Sequence, residues 1–125
     1  AVRDGMRLGK AHCFPFRHNS PEHLETMMKS AQGEIFIAVE SVYSMDGDFA
    51  PLGDISALCR KYGAHLIVDE AHATGLYGEL GRGKCAEAGI AEDVFARVHT
   101  FGKALGCHGA MIAGSAALRN YLINF

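Results

Sequence analysis

The chain has 125 residues, of which 49% are hydrophobic and 21% charged, with a formal net charge of −2. That length suits one hydrophobic core and is too short for two ordinary domains, and the composition excludes a disordered segment. The near-neutral charge offers no footprint for nucleic acid or an acidic membrane surface, and no apolar run approaches the roughly 20 residues of a membrane span.

The opening AVRDGMRLGK lacks the apolar centre of a signal peptide, so a cytoplasmic location is expected. The chain does not open with Met and closes at Phe125 inside what reads as an unfinished amphipathic helix. We expect it to be a piece of a longer protein.

In chain order, VRDGMRL reads as a helix end followed by a turn at Gly9, and CFPFR (13–17) as extended, because Pro15 forbids a helix interior. Ser20 and Pro21 start a helix: the hydroxyl caps a free amide and the proline takes the first helical position. Leu24, Met27, Met28 and Ala31 follow at helical spacing as core residues, and Gly33 ends the run.

EIFIAVE (34–40) has the continuous apolar interior of a buried strand. In the next stretch Asp46, Gly47, Asp48 and Pro51 are turn chemistry, since a calcium loop would need further acids and a closing Glu. Leu52, Ile55, Leu58, Cys59 and Tyr62 give a helix one apolar face, and Gly63 stops it. HLIVDEAH (65–72) then reads as a second buried strand.

Strand, helix, strand at this length is a βαβ unit with parallel strands, so Ser44 and Asp69 should emerge on one edge of the sheet. Ligands in open α/β sheets collect beyond the carboxyl ends of strands. Asp69, with His72 three residues on, is therefore either a site or the cap of a turn.

Residues 73–89 are glycine-rich and read as a flexible loop whose glycines supply positive φ. Within it Gly78 to Cys85 nearly matches the phosphate-loop pattern G-x-x-x-x-G-K-[ST]. Cys85 replaces the hydroxyl that would hold magnesium, and Gly78 lies nine residues past Asp69, whereas a phosphate loop follows its strand directly. A P-loop nucleotide-binding module is thus a weak alternative, and a non-catalytic αβ interaction module is another.

VFARVHT (94–100) is a third strand, AMIAG (110–114) a fourth, and Ser115 caps a last helix. Cys13, Cys59, Cys85 and Cys107 contain no Cys-x-x-Cys pair, and the spacings of His12, His18 and His23 fit no ligand pair, so no metal is expected. Lys103, three residues past Thr100 in the turn FGKALG, is alone a surface charge. Held in a partly desolvated site, it would lose basicity and become a nucleophile toward an aldehyde, and a carboxylate such as Asp69 could keep a pyridine nitrogen protonated. The elements predict an α/β fold with a mostly parallel sheet.

ESVYSMDGDFAPL, LIVDEAHATGLYGELGRG and HTFGKALGCHGA, in that order and with HNSPEHLE before them, resemble the α-oxoamine synthases, pyridoxal 5'-phosphate enzymes of fold type I. The resemblance covers nearly the whole chain. It implies the central part of a three-layer αβα large domain over residues 1–125, without the upstream segment and the small C-terminal domain. It also implies that Lys103 binds the cofactor aldehyde and removes the substrate α-proton, and that Asp69 partners the pyridinium nitrogen. His72 and Ser44 would lie near the phenolic oxygen, and Thr100 would donate to the phosphate.

The implied reaction condenses an amino acid with an acyl thioester, carried by coenzyme A or an acyl carrier protein, with decarboxylation. The implied assembly is a homodimer of full-length chains with active sites at the interface, and the 125 residues alone are expected to be inactive.

Overall fold

The structure is a computed structural model describing residues 2–9 and 11–124. Among these, the elements run α1 (Val2–Leu8), α2 (Pro21–Ser30), β1 (Phe36–Glu40), α3 (Leu52–Tyr62), β2 (His65–Asp69), α4 (Lys84–Glu87), β3 (Ala96–Thr100), β4 (Ala110–Gly114) and α5 (Ala116–Asn124), with one 3-10 turn at Glu79–Gly81. The expected helix starts are present. The Ser20 hydroxyl accepts from the His23 amide at 3.3 Å with Pro21 opening α2, and the Ser115 hydroxyl accepts from the Leu118 amide at 3.1 Å. Gly63 ends α3 in the left-handed region at φ 65°, its amide donating to the Cys59 carbonyl.

The four strands form one sheet in the order β1-β2-β3-β4. β1 and β2 are parallel with Glu40 opposite Asp69, and β2 and β3 are parallel with Asp69 opposite Val98. β4 runs antiparallel to β3, with Thr100 opposite Ala110. A turn of nine residues is enough to join antiparallel neighbours, whereas a parallel pair needs a crossover of roughly a dozen or more.

Alternation along the strands separates two faces. Ile37, Val39, Leu66 and Val68 point to one face and join Leu24 and Met28 of α2 and Leu52, Ile55 and Cys59 of α3 in the buried core. Ala38, Ile67, Asp69, Val98 and Thr100 point to the other face and are only partly buried. The antiparallel edge is barer still: on α5 Tyr121, Leu122 and Ile123 are exposed, as are Met111 and Ile112 on β4.

Residues 73–89 differ from the flexible loop expected. They contain α4 and the 3-10 turn and are held by a run of backbone hydrogen bonds, including Gly75 N–H to Gly81 O at 2.9 Å and Gly83 N–H to Tyr77 O at 2.8 Å. Their glycines do take positive φ, as read from the sequence, and Gly78 and Gly81 use it to bring backbone against backbone.

Leu66 lies at the centre of the core with 1% of its surface exposed. Leu66→Ala should therefore destabilise the protein by roughly 2–5 kcal/mol, measured by urea unfolding, with the slope of the transition unchanged.

Candidate active site

Ser44, Asp69, His72, Thr100 and Lys103 all lie at or beyond the carboxyl ends of β1, β2 and β3, on one edge of the sheet. Asp69 and Thr100 also share a face, because Asp69 pairs with Val98 and Thr100 is two residues further along β3. Asp69 is half-buried and its Oδ1 accepts from the Ala71 amide at 2.8 Å. One oxygen thus caps the turn, and the other makes no hydrogen bond among the described residues.

The Thr100 hydroxyl is buried without a partner among the described residues. A buried hydroxyl left unpaired costs free energy, so this position calls for a polar ligand. His72 is half-buried in the turn after β2, and Ser44 is exposed in the turn after β1.

Lys103 departs from the desolvated site expected of a nucleophilic amine: among the described residues it is exposed. Its turn is nevertheless closed by three backbone bonds, Phe101 N–H to Gly109 O at 2.9 Å, Cys107 N–H to Phe101 O at 2.9 Å and Gly106 N–H to Lys103 O at 3.0 Å. The amine is exposed because no described segment covers that turn, while its main chain is fixed.

The residue that sequence reasoning passed over is Glu70, which has none of its surface exposed. Its Oε2 accepts from the Ser41 hydroxyl at 2.8 Å and the Lys84 amide at 2.9 Å, and its Oε1 from the Cys85 amide at 2.7 Å. Its amide donates to Val98 O at 2.8 Å, and its carbonyl accepts from the amides of Ala73 and Thr74 at 2.9 and 2.8 Å. One residue thus ties β1, β3, the turn bearing His72 and the start of α4 to the end of β2. An acid at the inward position of a strand end, beside one facing the other way, was the available signal.

This arrangement disposes of the phosphate-loop alternative. The amides of Lys84 and Cys85 that would cradle a phosphate are occupied by the Glu70 carboxylate. Lys84 turns aside to pair with Glu87 at 2.6 Å, its ammonium lying 4.3 Å from the Phe49 ring centroid and 5.1 Å from that of Tyr77. Cys85 is fully buried, and burial together with the neighbouring Glu70 pushes its thiol far above the ordinary range.

His99 extends the network. The Thr74 hydroxyl donates to Glu70 O at 2.8 Å and lies 2.9 Å from His99 Nδ1, which assigns the ring proton to Nδ1. Nε2 is then a buried acceptor without a partner among the described residues. Burial pushes the pKa of this imidazole below its ordinary value.

Two further features include none of the candidate residues. His18, Asp46 and Asp48 bring ligand atoms within 4.8 Å of one another on the surface, but His18 Nε2 and Asp48 Oδ2 are already joined at 2.7 Å. Asp48, read as a turn residue, also accepts from Asn19 Nδ2 at 2.8 Å and anchors the segment before α2. A concavity of about 350 Å³ opens at the opposite edge of the sheet, lined by His65, Asp93, Phe95, Arg97 and Ser115 among others and by none of the candidate residues.

The aminotransferase class I and II profile matches residues 1–125, and the chain belongs to that family. It is 44% identical over 127 residues to the 8-amino-7-oxononanoate synthase of Chlorobaculum parvum, covering 99% of this chain and 32% of that protein. Among solved structures, the serine palmitoyltransferase of Sphingomonas wittichii superposes with a TM-score of 0.91 at 40% identity, over 97% of this chain and 31% of that one.

A serine palmitoyltransferase from S. paucimobilis with bound PLP and myriocin superposes with a TM-score of 0.86 at 36% identity, over 90% of this chain and 29% of that one. The resemblance to α-oxoamine synthases and the fold type I architecture read from the sequence both hold. The chain spans about a third of the length of these relatives.

Removing the Glu70 side chain would leave three buried donors facing a void, at about 1–3 kcal/mol for each unsatisfied group. Glu70→Ala should accordingly cost at least about 3 kcal/mol in denaturant unfolding. For His99 the folded pKa lies below the unfolded one, so its contribution is complete above 6.5 and is lost as the unfolded chain takes up the proton below it. Chemical denaturation across this range should show stability falling with pH, and His99→Gln should flatten that fall.

Proposed function

We propose that the full-length protein is a pyridoxal 5'-phosphate-dependent acyltransferase, an 8-amino-7-oxononanoate synthase that joins L-alanine to a pimeloyl thioester with decarboxylation. The observation that carries this reading is the unpartnered Thr100 hydroxyl, on the same sheet face as an Asp69 oxygen free of bonds among the described residues and three residues before Lys103. Those groups suit a phosphorylated pyridine aldehyde: a donor for phosphate oxygen, an acceptor for a ring N–H and a primary amine for the aldehyde. The identity to the Chlorobaculum parvum enzyme supports the choice of member.

In this reading Thr100 donates its hydroxyl hydrogen to the phosphate and Asp69 holds the proton on the pyridine nitrogen. His72 and Ser44 approach the phenolic oxygen from the turns after β2 and β1. Lys103 would hold the aldehyde carbon, and its amine would be the base for the α-proton of the amino acid. When bound, the cofactor would supply an electron sink for the charge left at the α-carbon of the amino acid.

The 125 residues form the central part of the large cofactor-binding domain. Segments before and after them, and a second subunit of a homodimer, complete the site of a cytoplasmic enzyme, and the isolated chain is inactive. The exposure of Lys103 and the one-third coverage of the relatives support this.

The superposition on the Sphingomonas wittichii enzyme favours a second reading, serine palmitoyltransferase. Assaying the full-length protein with alanine, serine and glycine against pimeloyl, palmitoyl, acetyl and succinyl thioesters separates the two. Alanine with pimeloyl thioester is expected to give the highest kcat/KM, and the glycine arms test acetyl and succinyl transfer.

Borohydride reduction of the full-length holoenzyme should place a pyridoxyl group on the peptide carrying Lys103, and a label on any other lysine overturns the assignment. Lys103→Ala should lower kcat by about 10²–10⁴-fold or more, measured with the preferred substrate pair.

A further inference from the structure

The glycine-rich stretch between Asp69 and Lys103 binds no phosphate in the reading above, and its packing gives it another role. Two layers of bare backbone rise from the buried Glu70. A Cβ on Gly83 would come within 2.8 Å of the Glu70 carboxyl carbon, and one on Gly78 within 2.5 Å of the Gly83 carbonyl oxygen. Above them, a Cβ on Gly81 would lie 2.9 Å from the Gly75 Cα, and the Gly75 amide donates to Gly81 O at 2.9 Å.

Gly75 forms the top of this stack. A Cβ placed on it would meet Leu105 Cδ2 at 3.2 Å and Ala104 Cβ at 3.3 Å, the two residues that directly follow Lys103.

We propose that Gly75 is a positioning residue for Lys103: its bare Cα is the seat on which the lysine turn rests, and the glycine stack beneath fixes the height of that seat. The inference rests on the reading of Lys103 as the cofactor's lysine. The Lys103 carbonyl accepts from the Gly106 amide within the same turn, so a displacement of Ala104 and Leu105 moves the main chain of Lys103 with them. Gly75, Ala104 and Leu105 lie at the surface, so the Leu105 tip can swing aside, and the Ala104 Cβ, fixed to its own main chain, is the atom an added methyl would press by a few tenths of an ångström.

Gly75 has φ +84°, so alanine there is strained whatever the space, and that effect needs its own control. Gly89 supplies it, with φ +69° and nothing within 4 Å of the point a methyl would occupy. Gly89→Ala carries the backbone cost without the contact.

The experiment compares full-length wild type, Gly75→Ala and Gly89→Ala. Hydrogen exchange of the cofactor-free protein is followed across residues 101–109, and pyridoxal phosphate affinity by absorbance titration. Both variants should lose a few degrees of melting temperature. Only Gly75→Ala should speed exchange at Gly106 and Cys107 and raise the cofactor Kd, by about tenfold for a loss of 1.4 kcal/mol.

Leu105→Ala approaches the same contact from the other side and serves if Gly75→Ala does not fold. It should loosen the same amides, and the double variant should show less than the sum of the two effects, as residues in contact do. Exchange across the turn that is unchanged, or changed equally by Gly75→Ala and Gly89→Ala, overturns the inference. A wild-type pyridoxyl label away from Lys103 overturns the functional reading instead, and the exchange comparison still decides whether Gly75 seats the turn.

Discussion

The structure depends on one buried carboxylate. Glu70 sits at the end of the central parallel strand with no exposed surface, and a carboxylate taken out of water is tolerable only when its oxygens are saturated with donors. Those three donors come from two separate parts of the chain: the hydroxyl that follows β1 and two amides at the start of α4. Satisfying the charge therefore obliges residues 41, 70 and 84–85 to meet. That meeting draws the glycine-rich stretch into a compact body over the strand ends.

Its neighbour does the opposite. Asp69 and Glu70 are adjacent acids on a strand, so the pleat sends them to opposite faces. The inward one is consumed by structure, and the outward one keeps an oxygen without a hydrogen bond among the described residues. The Asp69 carbonyl accepts from the Ser41 amide at 2.9 Å and the Glu70 amide donates to Val98 O at 2.8 Å, so the peptide linking the two acids is held on both sides. The Asp69 main chain is held in place in this way, and its second carboxylate oxygen makes no hydrogen bond among the described residues.

Much of this was legible in the residue pattern. The apolar runs of β1 and β2, the Ser20-Pro21 and Ser115 helix starts and the Gly63 stop are local signals, and each appears where the sequence put it. The placement of Ser44, Asp69, Thr100 and Lys103 on one edge followed from strand order alone. What escaped were side-chain destinations that depend on residues far along the chain. Glu70 finds its donors 14 to 29 residues away, Asp48 meets His18 across 30 positions, and Lys84 settles between Phe49 and Tyr77. The loop looked flexible because glycine permits motion as readily as it permits close approach, and only tertiary packing decides which use is made of it.

The four thiols divide by reactivity along the same lines. Cys59 is buried and its pKa is pushed up to about 11 by that burial, and Cys85 is held still more firmly in the protonated form above Glu70. Cys13 and Cys107 are exposed. Thiolate, not thiol, attacks electrophiles, so a maleimide at neutral pH would discriminate between the two pairs. With Cys13 replaced by serine, a fluorophore would attach at one position, four residues from the amine of Lys103. The molecule thus carries a natural handle for watching its lysine turn in solution.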